Sequence, residues 1–232
     1  MLHIVFLQEQ TRNCIIRGMD PKVKETIESF FCSYKQVRAK KGEILLQAGR
    51  DPTGIFFLKK GIVRMYTVSK NGEELTLNMY KPYSFFPMSW VLRDIHNKYF
   101  YEAVTESVLF LAPKEDTLAF LEQHKEVLFD LLKRIYSGIE GVFDHIEFLM
   151  SGGAYAKLMA AIRILSNRFG KQIGGRRVIA LKMTEKDIAS YAGMSRETVS
   201  RELQVLKKKK LITYHKGVLE ILDTKLFDQE FL

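Results

Sequence analysis

Residues 183–203 read Met-Thr-Glu-Lys-Asp-Ile-Ala-Ser-Tyr-Ala-Gly-Met-Ser-Arg-Glu-Thr-Val-Ser-Arg-Glu-Leu, and this stretch decides the fold of the C-terminal third. Thr184 is suited to cap a helix N-terminus, and the acidic Asp187 three residues on acts like the partner in a capping box. Ile188 and Ala189 take the inward face of that short helix. Gly193 supplies the left-handed residue that a tight turn between two helices needs. Ser195 caps a second helix with Val199, Leu203 and Leu206 on its inward face. Arg196, Glu197, Ser200 and Arg201 face outward over its first turns. This is the pattern of a helix-turn-helix, which places the start of its second helix in the DNA major groove. Arginine can donate two hydrogen bonds to guanine O6 and N7, and glutamate can accept one from cytosine N4. A helical hairpin with a solvated charged face is the bland alternative. Cap, glycine, core spacing and charge placement together favour the DNA-reading one.

Towards the C-terminus, Leu211–Tyr214, a His215-Lys216-Gly217 turn and Val218–Leu222 make a small β-hairpin, a wing. Lys207–Lys210 ends the second helix, either as a solvated end that suits the helix dipole or as a phosphate contact. Net charge supports a polyanion partner. The chain of 232 residues carries +9 in all, and residues 151–232 hold sixteen Lys and Arg against eight Asp and Glu, a net of +8. A positive excess confined to one segment is the footprint expected of nucleic-acid binding.

Towards the N-terminus, Ser151-Gly152-Gly153 separates two helical patterns. Adjacent glycines cost about 2 kcal/mol relative to alanine inside a helix, so a boundary and candidate hinge falls here. A helix follows over 154–169, with Leu158, Ala161, Ile162 and Leu165 on one face. Before the glycines, Leu128, Leu132, Ile135, Ile139, Val142, Ile146 and Leu149 alternate steps of four and three. That seam either packs on its own domain or faces a symmetry mate. Its length, with Lys133, Arg134, Glu140, Asp144 and Glu147 outside it, favours the mate.

Residues 20–113 are β-rich. After a short helix over 19–34, glycines at 42, 49, 54, 61 and 72 separate the apolar runs Ile44–Leu46, Ile55–Leu58, Ile62–Val68, Leu75–Tyr80 and Val108–Leu111, as in a barrel or sandwich. Asn71-Gly72 predicts a two-residue type I′ hairpin turn. Cys14 and Cys32, the only cysteines, are too few for a disulfide scaffold. No run of about 18 apolar residues predicts a membrane span, and Met1–Leu7 lack a basic n-region and a small-residue cleavage site. A cytoplasmic protein is expected.

At these residues the chain resembles the cyclic-AMP receptor protein / fumarate-nitrate regulator (CRP/FNR) family, over nearly its whole length and in the same order. The resemblance implies an α+β fold: an N-terminal double-stranded β-helix (a jelly-roll, cyclic-nucleotide-binding-like sensor barrel) over 1–113, a dimerisation helix over 114–150 and a winged helix-turn-helix over 151–232. Its most specific part is Ser195-Arg196-Glu197-Thr198-Val199-Ser200-Arg201. By resemblance, Glu197 and Arg201 read a G·A core of each half-site. Arg196 matches the receptor branch, which favours TGTGA, and Ser200 the fumarate-nitrate branch, which favours TTGAT. Thr184, Ser195, Thr198 and His215 match phosphate-contact positions, and Lys186 and Lys207 complete the expected set. Glu185 stands where the receptor branch has an arginine, so one backbone contact is expected to be missing. The implied partners are double-stranded DNA, a second copy of the chain and RNA polymerase.

The sensing end departs from both branches. Residues 85–101 lack the Gly-Glu pair and the arginine that hold a cyclic phosphate in the receptor branch, so no cyclic AMP binding is expected. Two cysteines cannot supply the four thiolates of a [4Fe–4S] cluster. Haem would need His96, His124 or His145, and a lone histidine is more often a surface or core residue than a ligand. Met79, Phe85, Phe86, Met88, Trp90, Tyr99 and Tyr101 either line a pocket for an apolar effector or simply fill the barrel, and residue type favours filling. Tyr136 on the long helix is a further pocket candidate. No catalytic residues, metal or cofactor are expected. A cupin-type metalloenzyme would need clustered histidines, commonly a His-x-His pair, and the β-region has His96 alone. A nucleotide-gated module for a partner enzyme would not need the recognition helix and wing.

Overall fold

The computed structural model of the chain describes residues 19–93, 95–150 and 152–231; the side chains of residues 144, 145, 147–149 and 231 are outside it. Helix α1 (Pro21–Phe31) is capped by the Asp20 carboxylate on Lys22 N–H, and it buries Val23, Ile27 and Phe31 at four-residue spacing. These side chains cover one face of the β-roll, where the Phe31 ring lies 4.9 Å from that of Phe57.

The roll is two four-stranded antiparallel sheets. One runs β1 (Lys35–Ala39), β8 (Ser107–Ala112), β3 (Ile55–Lys60), β6 (Phe85–Phe86); the other runs β2 (Ile44–Leu46), β7 (Phe100–Ala103), β4 (Val63–Val68), β5 (Glu74–Tyr80). The β4–β5 turn differs from the sequence expectation. Ser69 N–H still pairs with the Glu73 carbonyl (2.8 Å), and Gly72 N–H closes onto the Ser69 carbonyl (3.0 Å). Three residues therefore form the loop, and Gly72 alone among them has a positive φ (79°). A type I′ turn needs positive φ at both central residues, whereas a turn followed by one left-handed glycine makes the three-residue hairpin seen here.

After the short α2 (Met88–Arg93) between β6 and β7, residues 114–150 form two helices rather than one. α3 (Lys114–Gln123) stops at His124, whose ψ of 76° is not helical. α4 (Lys125–Met150) follows directly. Phe120 and Leu121 of α3 and Val127 and Leu131 of α4 share one core with α1 and the roll, so the start of α4 belongs to the N-terminal domain.

Beyond Gly152 and Gly153, α5 (Ala154–Phe169) buries Leu158, Met159, Ala161, Ile162 and Leu165 in the C-terminal core. A hairpin absent from the sequence reading comes next, β9 (Gly170–Ile173) and β10 (Arg176–Ile179). Then come α6 (Glu185–Ala192), α7 (Arg196–Lys208), β11 (Ile212–His215), β12 (Val218–Ile221) and α8 (Thr224–Phe231). The wing is accordingly a four-stranded sheet, ordered β11-β12-β10-β9.

Candidate nucleic-acid interface

α6 starts with a complete capping box. Thr184 Oγ1 accepts from Asp187 N–H (3.2 Å), and the Asp187 carboxylate accepts from Thr184 N–H (2.7 Å) and Thr184 Oγ1–H (2.8 Å). α6 ends on Gly193 at φ 62°, a conformation that would strain a residue with a Cβ. Ser195 Oγ then caps α7 on Thr198 N–H (3.2 Å). Val199, Leu203 and Leu206 are fully buried and clamp α7 against α5 and α6.

With that face fixed inward, the side chains at positions i, i+1, i+4 and i+5 of α7 share the outward side. The side chains of Arg196 and Arg201 are each 69% exposed and Glu197 is exposed. Ser200 is half-buried. Thr184, Lys186, Ser195, Lys216 and His215 are exposed beside them, with Thr198 and Lys207 half-exposed. Thr184, Glu185, Lys186, Arg196, Tyr214, Lys216 and Gly217 line a cleft of about 610 Å³ between α6, α7 and the wing. The wing is tied to this surface: Met183 N–H donates to the Gly217 carbonyl (2.8 Å), and Tyr214 Oη–H donates to the Met183 carbonyl (2.9 Å). Lys207 Nζ lies 5.2 Å from the centre of the Tyr214 ring, a cation–π contact from recognition helix to wing.

Glu185, where the resemblance implies a missing backbone contact, has partners within this surface. The Glu185 carboxylate accepts from Ser200 Oγ (3.4 Å) and lies 3.8 Å from Arg196 Nε, so it touches two of the four outward residues of α7. Its partners are 11 and 15 residues away, beyond any helical spacing.

The apolar stripe of α4 is present and wider than the seam. Leu132, Ile135, Ile139, Val142 and Ile146 are 38–50% exposed, and Leu128 is half-buried. Leu149 lies outside the described side chains, and Ser151 outside the described residues. Sequence spacing missed Phe129 (62%), Phe143 (64%) and Met150 (84%), which together with Tyr136 (70%) stand beside the seam. Gly152 has φ 98° and Gly153 starts α5, so the two glycines do sit at the break between α4 and α5.

The candidate effector residues are not gathered into one cavity. Met79 packs in the C-terminal core. Met88 and Trp90 pack on the core beneath α1 and α3. Phe86, Tyr99 and Tyr101 belong to the third core, inside the roll. Tyr136 is exposed on the α4 stripe. Within the roll the rings of Tyr80, Phe86 and Tyr101 stack at 4.7–6.0 Å between centroids. Burial, then the neighbouring phenols, push the Tyr101 hydroxyl above its ordinary range. In the stretch 85–101, Arg93 and Lys98 are exposed outside the core, and Asn97 uses its amide on the Gln47 and Tyr99 carbonyls (both 2.8 Å). His96, in the loop before β7, pairs with Asp51 (2.7 Å), and His124, between α3 and α4, with Glu126 (3.2 Å); His145 lies outside the described side chains. Among the described residues, no three or more His, Cys, Asp or Glu side chains group as metal ligands, and no helix is long and apolar enough to cross a membrane.

A β-roll joined through a long helix to a winged helix-turn-helix is the architecture of a DNA-binding transcription regulator. Residues 36–124 match the cyclic nucleotide-binding domain family, and residues 156–229 the Crp-like helix-turn-helix domain family. The chain is 29% identical over 206 residues to the global nitrogen regulator of Nostoc sp., covering 88% of this chain and 87% of that one. It is 30% identical over 169 residues to the fumarate and nitrate reduction regulatory protein of Escherichia coli, covering 72% and 67%. A solved CRP/FNR-family regulator from Thermus thermophilus superposes with a TM-score of 0.67 at 26% identity, over 85% of this chain and 98% of that chain. CooA from Carboxydothermus hydrogenoformans shares the fold alone, with a TM-score of 0.75 at 18% identity over 88% and 90%. The chain belongs to the CRP/FNR family of transcription regulators, whose members bind DNA and act as dimers.

Proposed function

We propose that the protein binds an inverted repeat as a two-fold dimer, with α7 of each copy in the major groove. The observation that carries this is the outward face of α7, where Arg196, Glu197, Ser200 and Arg201 stand together beside the wing. Glu197 and Arg201 read a G·A core, and Arg196 and Ser200 set the outer bases of TGTGA- or TTGAT-like half-sites. Thr184, Lys186, Ser195, Thr198, Lys207 and His215 meet phosphates and fix the register. The α4 stripe, from Leu128 through Leu132, Ile135, Ile139, Val142, Ile146 and Leu149, is the dimer contact, and Ser151–Gly153 is the hinge. The effector is a ligand other than cyclic AMP; the protein acts in the cytoplasm, with RNA polymerase as the further partner.

Selection of bound duplexes from a random pool tests this reading. Enrichment of an inverted repeat containing GA, with half-site centres one helical turn or a multiple apart, is expected. A direct repeat, or no enrichment with or without cell extract, would refute it.

A further inference from the structure

The β4–β5 hairpin is docked on the helix-turn-helix. Thr76 of β5 and Ser190 of α6, both buried, share a hydrogen bond between their hydroxyls (2.8 Å). Met79, 2% exposed, completes the C-terminal core. Arg168 of α5 donates to Asn78 Oδ1 (3.2 Å) and to the Met79 carbonyl, and Lys81 Nζ donates back to the Arg168 carbonyl (3.3 Å).

At the outer end of this contact, Lys186 Nζ donates to Glu74 Oε1 (3.0 Å). Glu74 is held from behind. Its Oε2 accepts from Arg64 Nη2 (2.6 Å), and the Arg64 guanidinium also donates from Nη2 to Glu102 Oε2 (2.6 Å). Arg64 is only 8% exposed and lies 4.2 Å from the centre of the Tyr66 ring, so this arm is rigid. The anion that meets Lys186 in the free protein is therefore fixed to the sensor domain.

We propose that the β4–β5 hairpin competes in cis with the DNA backbone for Lys186: Glu74, fixed by Arg64, holds the first helix of the motif against the roll, and a DNA phosphate must displace it. A carboxylate and a phosphate offer an ammonium the same kind of charged oxygen acceptor. The fraction of molecules with Glu74 on Lys186 lowers the apparent DNA affinity by that fraction. This proposal rests on the reading of Lys186 as a phosphate contact.

The test is a titration of the full chain with its selected duplex and a scrambled one across a salt series. Glu74→Gln removes the competing charge and leaves Arg64 an acceptor. It should bind both duplexes about two- to fivefold tighter, as expected for loss of one partly exposed ion pair. In a Lys186→Gln background the same change should give no gain. Thr76→Val, which breaks the buried contact without touching a charge, should tighten binding with the salt slope unchanged. Glu73→Gln, next door on the same hairpin, is the control for general repulsion. An equal gain from Glu73→Gln, no gain from Glu74→Gln, or the same gain with and without Lys186 would overturn the competition. Should Glu74→Gln fail to fold, Thr76→Val decides: no tightening refutes the docking. Lys186→Gln in the Glu74→Gln protein separates the two readings. A slope that falls by about one keeps the phosphate contact, so that failure of the other arms sinks the competition alone; an unchanged slope sinks the phosphate contact and the competition with it.

Discussion

Arg201 is the residue on which base reading is most easily measured. It sits on the outward face of α7, and its contact within the protein is with the neighbouring Glu202 (3.1 Å), so truncation should leave the fold intact. Arg201→Ala should cost about 1–3 kcal/mol on the selected duplex and relax preference at one guanine. Equal losses on selected and scrambled duplexes would show that it meets the backbone instead. A second residue sets an acid limit on stability. The Lys59 ammonium (2.6 Å), then the Tyr83 hydroxyl, hold the Glu28 carboxyl below the ordinary carboxylate range. A depressed carboxyl stabilises the fold above its unfolded pKa and loses that contribution as pH falls through its folded pKa. Glu28→Gln should cost no more than about 1 kcal/mol at neutral pH, because the pair is partly exposed. The gap to the parent should close as pH drops below the ordinary carboxylate range; a gap that persists in acid would remove Glu28 as its cause.

Elements differ in how much of them the sequence spelled out. The two helices of the motif were legible because their signals are local: Thr184 with Asp187, Gly193, Ser195, and apolar residues at helical spacing. β3, β4, β5 and β8 were legible from apolar runs between glycines. β1 was not, because Lys-Gln-Val-Arg-Ala carries only Val37 and the small Ala39 as apolar residues and becomes a strand through pairing with β8. The basic β9–β10 hairpin likewise needs β12 beside it. The stop at His124 carries no glycine or proline, so the sequence ran α3 and α4 together. Periodicity found one seam of the α4 stripe and missed the aromatic residues one position away. Sequence proximity also grouped aromatic residues of 79–101 that the two sheets distribute among separate cores. Two changes probe these elements. Leu203→Ala, at a fully buried site in α7, should cost about 2–5 kcal/mol in unfolding free energy and DNA binding with it. Ile139→Asp, on the exposed stripe, should give monomers in light scattering while the β-roll still melts cooperatively; an unchanged mass would refute the stripe as the contact.

Over the whole molecule, two features pull on the same motif from opposite sides. DNA is offered α7 and the wing, which meet where Lys207 lies over the Tyr214 ring, while the β-roll holds α6 through Thr76 and Glu74 and α5 through Met79. The sensor domain is thus in direct contact with the DNA-binding domain, not linked to it by α4 alone. A stable docked arrangement should protect Ser190 and Tyr191 amides from hydrogen exchange in the free protein. DNA that displaces the hairpin should speed exchange on β5 while slowing it on α7. Exchange unchanged on β5 would mean that the two domains keep this contact on DNA.

The α4 stripe has a further consequence, in thermodynamics. Seven large side chains from Leu132 to Ile146, aromatic ones included, stand in water along one helix of the single chain. Covering them on association stabilises the folded state by mass action, so folding and assembly become linked equilibria. The melting temperature of this protein should then be no fixed property: it should climb as the solution is made more concentrated, and the climb should vanish in the Ile139→Asp chain.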